Sequence, residues 1–296
     1  MKIIVFGSFN IDKVYSLPHL PQRGETLYCD NYEIHVGGKG LNQALAFQNA
    51  GAQVVAAGKV GADGDYLTDW LSANGVDVSS VGRSDGYTGH TIIEVDPDGQ
   101  NQMILFGGAN REITPDYCDE IIEKNRDADL IMTQYETSCV EYMLEAAHRA
   151  GIRTAVNPSP YVDKVRELPY DKIEYIIANE FEGASITGKT EAPDIVRALQ
   201  ELCGGKVILT LGGKGSVYSD GDTTVSVPAF NVNAVDTTGA GDTFTGYCLY
   251  GLLNGDPPQT ALRTASAASA LEISKPGAAE TIPSAEEVRA FLKKLS

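Results

Sequence analysis

The chain has 296 residues, 43% of them apolar and 21% charged, enough to bury a large core and too evenly mixed for a disordered or fibrous protein. Lys and Arg number 23 against 40 Asp and Glu, a formal charge of −17, and a field of that sign repels nucleic-acid backbones and anionic lipid surfaces while leaving small anionic ligands open. Five scattered cysteines (Cys29, Cys118, Cys139, Cys203 and Cys248) without a C-x-x-C pair, and no apolar run near the ~20 residues of a membrane span, lead us to expect a cytoplasmic protein.

In chain order, residues 2–6 read as a buried strand, and Gly7-Ser8-Phe9-Asn10-Ile11-Asp12 as the loop leaving it. Further short apolar runs at 53–57, 129–132, 153–156, 174–178 and 206–211 read as strands. Apolar spacing of three to four at 41–50, 64–74, 138–150 and 191–202 predicts helices between them. This alternation implies βαβ units and a mostly parallel sheet. Two segments, about 13–36 and 88–106, interrupt it with extra strands; His90–Val95 and Asn101–Phe106 form a hairpin around Asp96-Pro97-Asp98-Gly99. They are expected to make a small separate β-sheet, a lid. Thr114-Pro115 and Ser284 with Glu287 mark helix starts. A Gly-rich turn at 237–241 opens a helix to about 253, and an Ala- and Ser-rich helix follows over about 258–273.

Three clusters carry chemistry. In Asp236-Thr237-Thr238-Gly239-Ala240-Gly241-Asp242 a Gly-Ala-Gly turn enters a helix, so unpaired N–H groups point outward together and suit a phosphate or the charge of phosphoryl transfer. Asp242 stands beside them, either as a general base or as an acid that favours the helix dipole. In Val36-Gly37-Gly38-Lys39-Gly40-Leu41-Asn42, glycines let a ligand approach the backbone while Lys39 and Asn42 donate. It lacks the Walker A spacing, and an ordinary turn before a helix reads equally well. Asn10 and Asp12, at the carboxyl end of the first strand, suit hydroxyl groups or local capping. Glu136, Asn179, Glu182 and the Thr210-Leu211-Gly212-Gly213-Lys214-Gly215 turn fall on the same sheet edge. Carboxylates and amides there suit Mg²⁺ and phosphates, and the glycines suit a nucleotide. The four histidines show no metal-ligand spacing, and neither G-x-S-x-G nor a G-x-G-x-x-G after the first strand is present.

These motifs in this order, with Asn157-Pro158-Ser159-Pro160, resemble the ribokinase branch of the phosphofructokinase B carbohydrate kinase family from Gly7 to about Thr281. The resemblance implies a three-layer α/β/α sandwich with a mostly parallel central sheet and a β-sheet lid. It implies ATP-dependent phosphorylation of a primary sugar hydroxyl, with D-ribose or a related pentose as acceptor. By matching positions, it implies sugar contacts at Asn10, Asp12, Gly38, Lys39, Gly40, Asn42, Glu136 and Asp242, with Asp242 as base. It implies an anion hole at Gly239, Ala240 and Gly241. Nucleotide contacts fall at Asn179, Thr210, Leu211, Gly212, Gly213, Lys214, Gly215, Gly241 and Ser266, and Glu182 is tied to Mg²⁺ and phosphate. A monovalent-cation site, for K⁺, falls at Asp236, Thr238, Glu272, Lys275, Gly277 and Thr281. A homodimer through the lid is implied as well, with no nucleic-acid or membrane partner. Leu41 and Lys275-Pro276 depart from the ribokinase pattern. A same-fold kinase for another sugar, a nucleoside or a sugar phosphate, and a catalytically silent sugar-responsive regulator, remain open alternatives.

Overall fold

The computed structural model describes residues 1–295. Strand β1 (Lys2–Phe6) is followed by β2 (Asn10–Ser16), β3 (Asn31–Gly37), helix α1 (Lys39–Ala50), β4 (Gln53–Val60), α2 (Asp65–Ala73), β5 (Asp77–Arg83), β6 (Gly89–Val95) and β7 (Asn101–Phe106). The middle comprises α3 (Pro115–Lys124), β8 (Leu130–Gln134), α4 (Val140–Arg149), β9 (Arg153–Asn157), β10 (Tyr175–Asn179), α5 (Glu180–Thr187), α6 (Ala192–Cys203) and β11 (Lys206–Thr210). The chain closes with β12 (Ser216–Ser219), β13 (Thr224–Val227), α7 (Ala240–Leu253), α8 (Pro258–Ile273) and α9 (Ala285–Lys294).

The main sheet has nine strands in the order β13-β12-β11-β10-β9-β8-β1-β4-β5, parallel except for β12 and β13. Its central strands are buried on both faces, which is why they read as continuous apolar runs. The two-residue pleat sorts them into layers. Ile3 and Val5 pack with α1, α2, α7 and α8 through residues such as Leu41, Leu67, Leu249 and Leu262. Ile4 and Phe6 point the other way, onto Ile121 of α3 and Met143 of α4. Beyond them Val207 and Leu209 meet Leu199 of α6. The result is a three-layer α/β/α sandwich. No helix of the described residues is long and apolar enough to cross a membrane.

The second sheet has the order β3-β2-β6-β7. Strands β2 and β6 run parallel in register, and each carries an antiparallel outer partner. It begins at Asn10 rather than near residue 13, so Asn10 and Asp12 lie on β2 and not in the loop expected from the sequence. The physical reason is the pairing of Asn10 with Gly37 and Gly89 and of Asp12 with His35 and Thr91, which continues the ladder to its root.

Candidate active site

Two helix N-termini meet at the carboxyl edge of the main sheet. At the first, Gly38 has φ +99°, and a Cβ there would stand 2.8 Å from the Ser8 carbonyl oxygen, so the chain turns from β3 into α1 only with glycine. At the second, Gly239 has φ +83°, and a Cβ would stand 2.5 Å from Oε1 of Glu272. The helices that follow approach closely because Gly246 of α7 lies against Ala46 of α1, leaving no room for a Cβ. One turn nearer their starts, α1 offers Asn42 and Gln43 to Asp242 of α7.

Asp242 is 5% exposed. Its Oδ1 accepts from Gln43 Nε2 at 2.8 Å and its Oδ2 from Asn42 Nδ2 at 3.2 Å. Gln43 is itself held: its Oε1 accepts from Gln134 Nε2 at 2.6 Å, and Asn157, fixed by donating to the Ile177 carbonyl, lies 3.4 Å from Nε2. An amide chain therefore fixes the carboxylate against β8 and β9. Donors on both oxygens leave lone pairs free, as a positioned base requires. Asn42 keeps a buried Oδ1 without a partner, an acceptor aimed into the site.

A second group faces this one. Ser8 Oγ donates to Glu136, whose carboxylate also accepts from the Lys39 amide at 3.3 Å. Asn10 Oδ1 accepts from Asn110 Nδ2 at 2.8 Å. The half-buried Lys39 ammonium is held above its ordinary pKa, first by Asp242 and then by Glu136 and Glu182, with burial opposing. Burial raises the Asp12 carboxyl to about 6; Thr91 and His35 oppose this, and the charges of Glu136 and Glu280 add to it.

On the far side of Asp242 lies a cleft of about 540 Å³. Thr210, Gly212, Gly213 and Gly215 line one wall, Ala240 and Gly241 the floor and Ser266 the wall from α8. Phe230, Val232, Phe244 and Ile273 supply apolar surface. The Ala240 N–H leans at 3.4 Å on the Thr237 carbonyl, and Ser269 Oγ donates to the Ala240 carbonyl at 2.8 Å, anchoring the turn to α8. Leu211 and Lys214 belong to the same turn but not to the lining. Leu211 packs on the apolar layer under α6, and Lys214 Nζ reaches Glu180 at 3.2 Å. Asn179 and Glu182 also lie outside the lining and form a reciprocal cap on α5, each side chain accepting from the other's amide at 2.8 and 3.0 Å.

Behind the turn, Asp236 Oδ1 accepts from the Thr238 amide at 2.9 Å and Oδ2 from the Gly277 amide at 3.2 Å, tying the two loops together. Thr281 Oγ1 donates to the Ala278 carbonyl at 2.8 Å. The Lys275 side chain turns away, 3.7 Å from Glu287. Glu272 has no exposed surface, and neither of its carboxylate oxygens has a partner. Burial raises it to about 8, with the Thr243 hydroxyl opposing and the charges of Asp242 and Asp236 adding. No group of three or more His, Cys, Asp and Glu side chains suited to a metal occurs among the described residues.

Comparison with known proteins gives the family. The model of the pfkB family carbohydrate kinases matches residues 1–285. The chain belongs to that family. This pfkB-family chain is 33% identical to the ribokinase of Lactococcus lactis, across 99% of its own length and 98% of the relative's. It is 31% identical to a deoxyribokinase of Salmonella typhimurium, covering 99% of each. Among solved structures, an Arabidopsis thaliana ribokinase complexed with ribose and ATP superimposes with a TM-score of 0.88 at 31% identity, over 98% of both chains.

Ser8, Gln43, Asn110, Gln134 and Asn157 escaped the sequence reading as site residues. For Gln43 the signal lay one position after Asn42 on the same helix, and for Asn157 in its Asn-Pro-Ser-Pro run. Gln134 and Asn110 sit far along the chain from their partners and carry no local mark.

Proposed function

We propose that this chain is an ATP-dependent kinase of D-ribose or a closely related pentose, with Asp242 as general base. One observation carries the reading. Asp242 is buried, gripped by Asn42 and Gln43, and set beside a glycine turn that opens onto the cleft. Phosphoryl transfer asks for alignment, charge neutralisation and a base rather than a covalent intermediate. Asn10, Asp12, Lys39, Asn42 and Glu136 orient the sugar through its hydroxyls. Asp242 takes the proton of the primary hydroxyl as that oxygen attacks the γ-phosphate of ATP. The Gly239–Gly241 amides receive the charge of the transferred group, and the α7 dipole adds to them. ATP occupies the cleft between the 210–215 turn and α8, with Ser266 beside it. Asn179 and Glu182 act on the nucleotide side from outside the lining.

The donor set suits Mg²⁺ that arrives with ATP, since this ion keeps waters and phosphate oxygens and needs few protein carboxylates. Glu182 would hold it. When bound, it neutralises phosphate charge. The loops tied together by Asp236 suit K⁺. Asp236, Thr238 and the backbone at Glu272, Lys275, Gly277 and Thr281 would hold it.

The second sheet acts as a lid over the sugar and limits water attack on ATP. Its outer strand β7 is exposed along its whole length, including Met103, Ile104, Leu105 and Phe106, and Ile34 is 52% exposed on β3. An apolar edge of that kind supports a homodimer through the lid. The free cysteines support a cytoplasmic setting.

The test is ADP release with Mg²⁺, comparing D-ribose with deoxyribose, fructose, fructose 6-phosphate and nucleosides in K⁺ or Na⁺. Selective turnover of ribose supports the reading. The likeness to a deoxyribokinase makes deoxyribose the second acceptor to favour. ATP binding without turnover of any acceptor would leave a sugar-responsive regulator.

A further inference from the structure

The residues assigned to the sugar belong to two bodies. Lys39, Asn42, Glu136 and Asp242 stand on the main unit, whereas Asp12 rides on β2 of the second sheet. Something must set the distance between Asp12 and the rest. Asn10 does this at the root of the sheet, through Asn110. Two residues farther out, Asp12 is flanked in register by His35 on β3 and Thr91 on β6, so the three side chains share one face. From that face His35 reaches across: its Nδ1 lies 3.6 Å from Oε1 of Glu280, in the short 3₁₀ turn Ala279–Thr281 after α8. Its Nε2 lies 3.1 Å from Glu33 on the same strand, which fixes the ring. Among the described residues, no other ion pair joins the strands of the second sheet to the main unit.

We propose that His35 and Glu280 form a latch that holds the second sheet down at the level of Asp12, making both of them positioning residues for the acceptor. This rests on the reading of Asp12 as a sugar ligand. The charge arrangement suits the task. Asp12, Glu136 and Glu280 place three carboxylates around one position; Thr91 hydrogen-bonds Asp12, and the His35 ring is the group that stands between Asp12 and Glu280. Without His35 the carboxylates of Asp12, on the sheet, and Glu280, on the main unit, repel each other with no ring between them. The pair is partly open to solvent, with side chains 36% and 38% exposed, so it reopens readily when product leaves.

The test is a double-mutant cycle on the full-length protein with His35→Ala, Glu280→Ala and both together. Each single change is expected to raise the acceptor KM about fivefold while kcat and the ATP KM stay put, a split that general destabilisation would not produce. The double variant is expected to match the singles instead of multiplying them, and Glu280→Gln, which keeps an acceptor oxygen, to restore most of the loss. Unchanged acceptor KM in either single variant, or losses that multiply, overturns the latch. If the wild type turns over no sugar, the functional reading fails by itself. The latch is then judged by amide hydrogen exchange, where both single variants must speed exchange in β2 and β3; equal exchange refutes it.

Discussion

Gln43 Nε2 stands 2.8 Å from Asp242 Oδ1, across the seam between α1 and α7, although the two residues are 199 positions apart in the chain. The side chain that aims the Asp242 carboxylate, the proposed base, thus comes from the other Gly-rich motif. Gln43→Leu is expected to lower kcat about tenfold or more with a smaller change in acceptor KM, because the carboxylate loses one of its two amide donors and Gln134 loses its acceptor. Steady-state kinetics beside a thermal melt separates this from unfolding. An unchanged kcat would show that Asn42 alone aims the carboxylate.

Asp242→Asn removes the proposed proton acceptor while retaining size and hydrogen bonding. We expect kcat to fall by roughly 10²–10⁴, the range of general-base contributions, with sugar affinity largely kept. Calorimetric sugar binding together with ADP release decides it, and near-normal turnover would take Asp242 out of the base role.

Asp12 makes pH a probe of the second sheet. Its folded pKa of about 6 lies above the ordinary 3.8, so its contribution to stability is whole below the lower value and is lost as pH rises through 6. An ionised carboxylate accepts from sugar hydroxyls more strongly than a neutral carboxyl, so affinity moves oppositely. The acceptor KM is expected to fall as pH rises through 6, while the melting temperature of the free protein loses this component over the same window. Asp12→Asn should flatten both profiles. A wild-type KM that is level between about pH 5 and 7 would contradict the shift.

Gly239→Ala forces a side chain into the left-handed region and onto Glu272. A loss of roughly 1–3 kcal/mol in unfolding free energy is expected, with turnover falling further because the turn carries the amides assigned to the phosphoryl group. Denaturant melts and kcat measured on the same preparation test both parts; wild-type stability would show that the turn relaxes without cost.

The central strands were readable because burial on both faces makes them continuous apolar runs, as at Ile3–Phe6 and Val207–Leu209. Strand β5 was not, since Asp-Val-Ser-Ser-Val-Gly-Arg mixes polar and apolar residues at the sheet's edge beside a register shift. The four-residue strands β12 and β13 are too short to show a period. Helix α5 has scarcely any amphipathic spacing, and its start was visible only as Asn179 and Glu182, whose side chains form a reciprocal cap there. In the site, Gly38, Gly239 and Asp242 announce themselves locally, through a turn that feeds a helix. The amide chain Gln134–Gln43–Asn157 does not, because each link joins residues about 90 or more positions apart.

If Asp12 and Asn10 hold the sugar as proposed, their place in the second sheet links the acceptor and that sheet thermodynamically. Whatever factor a bound sugar applies to the closed position, the closed position must return to sugar affinity. A substitution on the outer face of β7, remote from every hydroxyl, therefore belongs among the determinants of acceptor affinity. So does a second subunit seated there: it would read out as tighter sugar binding at higher protein concentration.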